Sequence, residues 1–155
     1  MFFEIPYSKR SIRDFLITMK SNKAEIIEFL QRDFSQSLVH CEVEDVFDKG
    51  AYLIYKIDEK QLRPGGTVSG PTMMELADLA LYVAILGEIG IVALAVTTNL
   101  NINFLRKPDG SRNLKAECHL IKTGQSLIVG EVWIYSVGIE EPVAHATATY
   151  AIPKS

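Results

Sequence analysis

The sequence has few cysteines, and this scarcity excludes one class of protein. Its 155 residues include only Cys41 and Cys118, which are too few for a scaffold stabilised by disulfides. No secretory signal is expected ahead of them, because charged residues interrupt the apolar residues at the N-terminus. We therefore expect two reduced thiols in a cytoplasmic protein.

Histidines are also few, and they are dispersed along the chain. His40, His119 and His145 lie on different predicted strands, with no cysteine or aspartate at the spacing of a metal site. Ser69 is not part of a nucleophile-elbow motif, so a Ser-His-Asp triad is not indicated. We expect neither a metal nor a redox cofactor.

Concentrated positive charge is absent from the sequence. The 16 basic and 19 acidic residues give a net charge of −3, and basic residues occur only in short pairs such as Arg106-Lys107. Proteins that bind nucleic acid carry a basic patch or stripe. The sequence therefore predicts no nucleic-acid partner.

One long apolar run, residues 71–98, raises the question of a membrane span. Three acidic residues interrupt this run, and two glycines divide it near its middle. A transmembrane helix has a longer uninterrupted apolar stretch than this run contains, and charged residues are rare within it. A buried helix followed by a strand explains the run better, and we expect no membrane partner.

Hydrophobic periodicity predicts an α+β protein with a single sheet. The predicted helices cover 9–20, 24–36 and 71–86, and the predicted strands cover 40–50 with a turn at Lys49-Gly50, 51–58, 92–105, 114–122, 126–137 and 143–152. Turn-rich connections join the first two strands and the last four, which favours hairpins. We expect an N-terminal helical extension over 1–37 and a domain over 38–155, with an antiparallel sheet wrapped around one central helix.

The predicted central helix has recognisable start and stop signals. Pro71 suits the first turn of a helix, where its missing N–H is not needed. Thr72 and Glu75 have the spacing of a capping box, which gives Glu75 a structural explanation. Apolar residues cover nearly every direction around the axis, so the helix should be buried on most sides until it ends at Gly87.

Asp78 is the residue of this helix that the local pattern does not explain. A carboxylate removed from water is costly unless it gains a partner. It is either a functional acid in apolar surroundings or a structural one, satisfied by Arg63 or by a threonine across a subunit interface. The sequence favours the functional interpretation.

Four segments resemble a known family. GTVSGPTMMELAD, TTNLNINFLRKP, GEVWIYS and HATATYAI are similar to segments of the hotdog-fold acyl-CoA thioesterases of the phenylacetate-degradation (PaaI-like) type, and the resemblance covers roughly residues 40–152. It implies a hotdog fold, in which an antiparallel sheet wraps around one long helix. It also implies an enzyme that hydrolyses a medium-chain or aromatic acyl-CoA thioester to the free acid and CoA.

The resemblance assigns catalytic roles near the start of the helix. In the family, an acid nine residues after the histidine of a His-Gly-Gly loop is the general base or nucleophile, and the first glycine's N–H polarises the thioester carbonyl. Here the loop is Ser69-Gly70-Pro71, so these roles fall on Asp78 and Gly70. A helix N-terminus suits a developing oxyanion. The missing histidine argues against the hotdog dehydratases and hydratases, which use it for proton transfer.

Other positions are assigned to the water and the substrate. Thr97 corresponds to a residue that orients the attacking water, and the period of a strand allows only one of Thr97 and Thr98 to face the site. Arg63 replaces an asparagine of many relatives and would pair with Asp78 or with an anionic acyl group. The remaining substrate-binding candidates are Ser69, Pro71, Arg106 and Lys107, of which the last two would contact the phosphates of coenzyme A.

The resemblance also implies an assembly. Relatives build each site across a homodimer, with the acid from one chain and the glycine loop from the other, and dimers usually pair into homotetramers.

The alternative function is a non-catalytic hotdog protein that binds acyl-CoA or another hydrophobic ligand. Arg63 discriminates the two, because a cation paired with Asp78 would quench the base. A purely structural oligomer would need the groove beside Asp78 to be filled.

Overall fold

The computed structural model describes residues 19–154. It contains helices α1 (Lys23–Asp33) and α2 (Gly70–Ile89) and strands β1 (Cys41–Phe47), β2 (Gly50–Tyr55), β3 (Leu62–Arg63), β4 (Thr67–Val68), β5 (Val96–Phe104), β6 (Leu114–Thr123), β7 (Leu127–Ser136) and β8 (Ala144–Ala151). The helix predicted over 9–20 lies almost entirely outside the described residues. Within residues 19–154, no helix has the length and apolar character that spanning a membrane requires.

Six strands form one antiparallel sheet in the order β1-β2-β6-β7-β8-β5, and this sheet wraps around α2. Alternate residues of each strand face the helix, as the buried Ala144, Ala146 and Ala148 of β8 show. Strands β3 and β4 form a separate two-stranded ladder just before α2. The predicted α+β architecture is confirmed.

The connection from β5 to β6 differs from its prediction. Hairpins join β1 to β2, β6 to β7 and β7 to β8, as predicted, but β5 pairs with β8 and β6 pairs with β2. The predicted hairpin at 107–111 is therefore wrong, and residues 105–113 cross from the edge of the sheet to its middle. Contacts with distant segments fix this crossover, since Thr67 Oγ1 donates to the Pro108 carbonyl at 3.1 Å and Ile57 N–H donates to Asn113 Oδ1 at 3.0 Å.

The start of α2 is capped by a residue other than the predicted one. Ser69 is the N-cap, and its Oγ accepts the Thr72 N–H at 3.4 Å. Glu75 accepts the hydroxyl of Tyr55 at 3.3 Å instead of closing a capping box with Thr72. The predicted Thr72–Glu75 capping box is wrong because the N-cap is Ser69 and the helix has already begun at Gly70, two residues before Thr72.

The end of α2 also differs from its prediction. The helix continues through Gly87 to Ile89 and ends at Gly90, whose φ of 96° favours glycine. Gly87 is required by packing, because a Cβ atom at this position would lie 2.7 Å from Cγ1 of Val46 on β1. The absent side chain lets α2 approach the sheet closely.

Helix α1 packs onto the same core. An Asn22–Glu25 capping box begins the helix, and Ile26 and Leu30 are fully buried among residues of α2 and the sheet. The helix ends at Asp33, earlier than predicted, because Phe34 leaves helical geometry and a 3₁₀ turn (Ser35–Leu38) follows. This turn leads the chain past the face of α2 that carries Asp78.

Candidate active site

Two hydroxyl groups hold the carboxylate of Asp78. Its Oδ1 accepts hydrogen bonds from Thr97 Oγ1 on β5 at 2.5 Å and from the Tyr150 hydroxyl on β8 at 2.8 Å. Within the described residues, no group donates to Oδ2 of this half-buried aspartate. This oxygen is therefore available to a water molecule or a substrate.

Thr97 reaches Asp78 and its neighbour does not. Thr98 donates instead to the carbonyl of Thr149, and the pairing of β5 with β8 shifts register between Thr97 and Asn99. The structure thus brings together two of the residues selected from the sequence, Asp78 and Thr97.

Tyr150 is a third member of this group that the sequence motifs did not identify. Burial raises the pKa of its hydroxyl, and the nearby charge of Asp78 raises it further, so the phenol remains a neutral donor. The alternation in HATATYAI places Tyr150 on the face of β8 that meets α2. The hydroxyl of a buried tyrosine usually forms a hydrogen bond. The position of Tyr150 on the buried face was therefore the one sequence signal that could have indicated a polar partner in the core.

Arg63 does not pair with Asp78 in this chain. It lies exposed on β3 opposite Thr67, and within residues 19–154 it forms no ion pair. Within this chain, two neutral hydroxyl donors hold the Asp78 carboxylate instead. Among residues 19–154, no cation forms an ion pair with it.

Gly70 forms the first turn of α2, beside Ser69 and the exposed Pro71. The first N–H groups of a helix have no partner within the helix. A Cβ atom on Gly70 would lie 3.2 Å from Cζ of Phe104, so the ring of Phe104 stands directly over this glycine. The close approach leaves no space for a larger residue without movement of that ring.

The remaining predicted residues lie at the same end of the molecule as Gly70. Arg106 and Lys107 follow Phe104 in the chain, and both are exposed. Arg106 Nη1 donates to the carbonyl of Pro142 at 2.6 Å, which orients its guanidinium group. Arg63 is on the ladder that leads into Ser69.

The predicted residues therefore form two groups rather than one. We call Asp78, Thr97 and Tyr150 the carboxylate group, and we call Ser69, Gly70 and Pro71 the glycine group. Asp78 follows Gly70 by eight residues in one helix, which separates them by about 12 Å at 1.5 Å per residue. The two groups of one chain cannot contact the same thioester carbon and oxygen.

Two cavities meet at Asp78. A cavity of about 360 Å³ extends toward Ala95 and Thr97, and one of about 130 Å³ extends toward Ser37 and Leu79. Both are also lined by Phe34, Tyr82 and Tyr150. Residues 19–154 therefore leave the groove beside Asp78 unfilled, whereas a purely structural role would need this groove to be filled.

The thiols do not supply a competing nucleophile. Both cysteines are buried, and burial raises the pKa of Cys41 to about 12, with the charge of Glu75 adding to the effect. Burial also raises the pKa of Cys118. A thiol must be ionised to attack a thioester. In the described part of the chain, no three His, Cys, Asp or Glu side chains are grouped to hold a metal ion.

The sheet wrapped around α2 and the acid facing a groove define a hotdog-fold protein of the thioester-processing class. The profile of the thioesterase superfamily matches residues 65–143. A crystal structure from Silicibacter sp. TM1040, provisionally described as a thioesterase, shares 38% identity with a TM-score of 0.82, over 88% of this chain and 94% of that chain. The chain therefore belongs to the thioesterase superfamily.

More distant structures share the fold. The PaaI protein from the phenylacetic acid degradation operon of E. coli has 18% identity and a TM-score of 0.75, over 85% of this chain and 94% of that chain. A hypothetical thioesterase protein from Streptococcus pneumoniae TIGR4, solved with coenzyme A, has 19% identity and a TM-score of 0.71, over 83% of this chain and 98% of that chain. No protein of the curated set is significantly similar in sequence.

Proposed function

We propose that the protein is an acyl-CoA thioesterase of the phenylacetate-degradation type, which hydrolyses a medium-chain or aromatic acyl-CoA to the free acid and CoA. The observation that carries this proposal is Asp78, which lines an open groove and whose Oδ1 is held by two hydroxyl groups while Oδ2 has no hydrogen-bond partner among the described residues. Membership of the superfamily supports thioester hydrolysis in general. The neighbour solved with coenzyme A supports CoA as the thiol.

Asp78 would act on the thioester as general base or as nucleophile. As a base, Oδ2 takes a proton from water, the water oxygen bonds to the carbonyl carbon, and the carbon–sulfur bond breaks to release the CoA thiolate. As a nucleophile, Oδ2 bonds to that carbon itself, the carbon–sulfur bond breaks to release the CoA thiolate, and water then hydrolyses the resulting anhydride to the free acid and the Asp78 carboxylate. Thr97 and Tyr150 fix the carboxylate in both routes.

The glycine group would stabilise the negative charge that develops on the carbonyl oxygen. The Gly70 N–H lies at the positive end of α2, and such a preorganised donor typically contributes about 10²- to 10³-fold to the rate. Ser69 and Pro71 would shape this loop against the substrate. Arg106 and Lys107, exposed at the same end, would contact the phosphates of coenzyme A.

A complete site would need two chains. The carboxylate group of one chain and the glycine group of its partner would meet at one thioester, because the two groups are about 12 Å apart in a single chain. Strand β5 supports this arrangement, since it is an edge strand that leaves Val96 52% and Phe104 50% exposed. We propose a cytoplasmic homodimer that pairs into a homotetramer, with Arg63 facing the substrate or the partner's carboxylate.

Thiol release from a panel of acyl-CoAs, measured on the purified protein, tests the proposal. Asp78→Asn keeps an oxygen that accepts from Thr97 and Tyr150 but loses the basic oxygen, so we expect activity to fall about 10²- to 10⁴-fold with little change in stability. Asp45→Asn is the matched control, because Asp45 is an exposed acid on β1, the strand at the opposite edge from β5.

The contrary result would identify the alternative function. If the wild-type protein releases no thiol from any member of the panel while acyl-CoAs raise its melting temperature, it is a binding protein and not a hydrolase. The absence of an intrachain Arg63–Asp78 pair favours hydrolysis, since that pair would have quenched the base.

A further inference from the structure

We infer that Phe34 and Tyr82 select the acyl group: together they close the cavity beside Asp78 so that it admits an uncharged acyl group of about the size of one benzene ring. This inference rests on the proposed function and specifies its substrate. Phe34 comes from the N-terminal segment and Tyr82 from α2, so the segment that precedes the sheet forms one wall of the site.

The size limit follows from the smaller cavity. Its volume is about 130 Å³, and it extends from Asp78 between α2 and the 3₁₀ turn that follows α1. A protein cavity of about 150 Å³ holds one benzene molecule. An acyl group that starts at a carbonyl carbon beside Asp78 would therefore fill this space with about six or seven carbon atoms.

The ring walls of the cavity are fixed in place. Phe34 packs edge-on against Tyr82, with 6.3 Å between ring centroids and 63° between ring planes. The backbone of Phe34 is tied on both sides, because its N–H donates to the Leu30 carbonyl at 2.9 Å and its carbonyl accepts the Ser37 hydroxyl at 2.6 Å. The Tyr82 hydroxyl donates to the Ala93 carbonyl at 3.0 Å. A longer acyl chain cannot displace these rings without breaking several contacts.

The charge limit follows from the ionisable groups of both cavities. Asp33 lines the larger cavity, Glu75 lines the smaller one, and Asp78 lines both, whereas no Lys or Arg of the described residues lines either. Arg32 pairs with Asp33 at 3.2 Å from outside this lining. A second carboxylate on the acyl group would enter these cavities without a cation to pair with, which is costly.

The test is the ratio of kcat/KM values for acyl-CoAs of different length and charge. For the wild-type protein we expect hexanoyl-CoA and phenylacetyl-CoA to exceed dodecanoyl-CoA and glutaryl-CoA by at least tenfold, since one surplus methylene in a closed pocket costs roughly tenfold or more. Phe34→Ala should raise the dodecanoyl-to-hexanoyl ratio at least tenfold. Phe34→Leu, which removes less volume, should raise it by a smaller factor.

Phe47→Ala is the matched control, because Phe47 is also half-buried but packs against Tyr52, away from Asp78. Thiol release with an unchanged length ratio in both Phe34 variants would overturn the inference and leave the proposed function intact. Where no thiol is released by any variant, the proposed function fails, and the melting-temperature rise with each acyl-CoA still tests the cavity. An equal rise with dodecanoyl-CoA in wild type and Phe34→Ala would then overturn the inference.

Discussion

At Asp78, two neutral hydroxyl groups share one carboxylate oxygen and leave the other exposed to the groove. Hydrogen bonds to a charged group contribute about 1.5 to 3 kcal/mol, so Thr97 and Tyr150 stabilise the position of the carboxylate without neutralising it. Tyr82 stacks on Tyr150, with 6.1 Å between ring centroids, and this limits movement of the Tyr150 ring. In the proposed function, a carboxylate held in this way would be preorganised for one direction of attack.

The buried phenol of Tyr150 predicts a loss of stability at alkaline pH. Burial raises its pKa above the value of about 10 for an unfolded tyrosine. Its contribution to stability is present in full below pH 10 and is lost as pH rises toward the folded pKa, because only the unfolded chain then releases the proton. The extra slope of the unfolding free energy approaches about 1.4 kcal/mol per pH unit.

Urea unfolding between pH 8 and 11 measures this slope. The wild-type protein should lose stability more steeply above pH 10 than Tyr150→Phe, which has no proton to lose at that position. Equal slopes for the two proteins would show that Tyr150 ionises as readily in the folded chain as in the unfolded one.

Asp78 could be selected from the sequence because a charge inside an apolar helix is anomalous, and Thr97 could be selected from the family motif. Tyr150 could not be selected in this way. The alternating pattern of its strand predicts a buried face but does not show which residue of the helix that face contacts. The difference is one of sequence separation, since Tyr150 lies 72 residues beyond Asp78. Contacts of that range depend on the order of strands in the sheet.

At the scale of elements, α2 determines the geometry of the site. Its N-terminus presents Gly70, its third turn presents Asp78, and its C-terminal half packs against β1 at Gly87. Glycine commonly marks the end of a helix, so the sequence pattern favoured a stop at Gly87. The packing against Val46 explains the same glycine without ending the helix.

Replacement of Gly87 tests this explanation. Gly87→Ala improves helix propensity by about 1 kcal/mol, but the new methyl group overlaps Val46 Cγ1, and overpacking costs about 1 to 3 kcal/mol. We expect a net loss of stability, measured by urea unfolding. In a Val46→Ala background the overlap disappears, and Gly87→Ala should then be neutral or stabilising.

A loss of equal size in both backgrounds would mean that Gly87 is needed for another reason. The double-mutant cycle separates the two cases, because the residues are in contact and their effects should not add.

The pairing of strands marks the limit of what the pattern could predict. Strands β6, β7 and β8 follow one another through short turns, and their hairpins were predictable from those turns. Strand β5 has an equally clear pattern, but it pairs with the last strand of the chain. The pairing of β5 with β8 depends on how the whole sheet packs around α2. The local sequence of residues 105–113 does not indicate this pairing.

At the scale of the whole molecule, the proposed function requires each chain to contribute to two sites, with its carboxylate group in one and its glycine group in the other. The carboxylate group and the glycine group are separated by about 12 Å along α2, and the edge strand β5, which carries Thr97 and Phe104, runs beside both. A two-fold axis at that edge would place the carboxylate group of each chain against the glycine group of the other. We therefore expect two equivalent sites in a dimer and no activity in a monomer.

Complementation between two inactive variants tests whether the site is shared between chains. Asp78→Asn removes the proposed base. Gly70→Pro removes the N–H donor at the first position of α2, where the helix backbone accepts proline once the Phe104 ring beside Gly70 moves aside. When the two variants are unfolded together and refolded as a mixture, half of the dimers contain one chain of each. One site of each such dimer then has both groups intact.

We expect the mixture to regain about one quarter of the wild-type rate of thiol release, although each variant alone is inactive. A mixture that remains as inactive as its components, while chromatography shows mixed dimers, would contradict a site shared between chains.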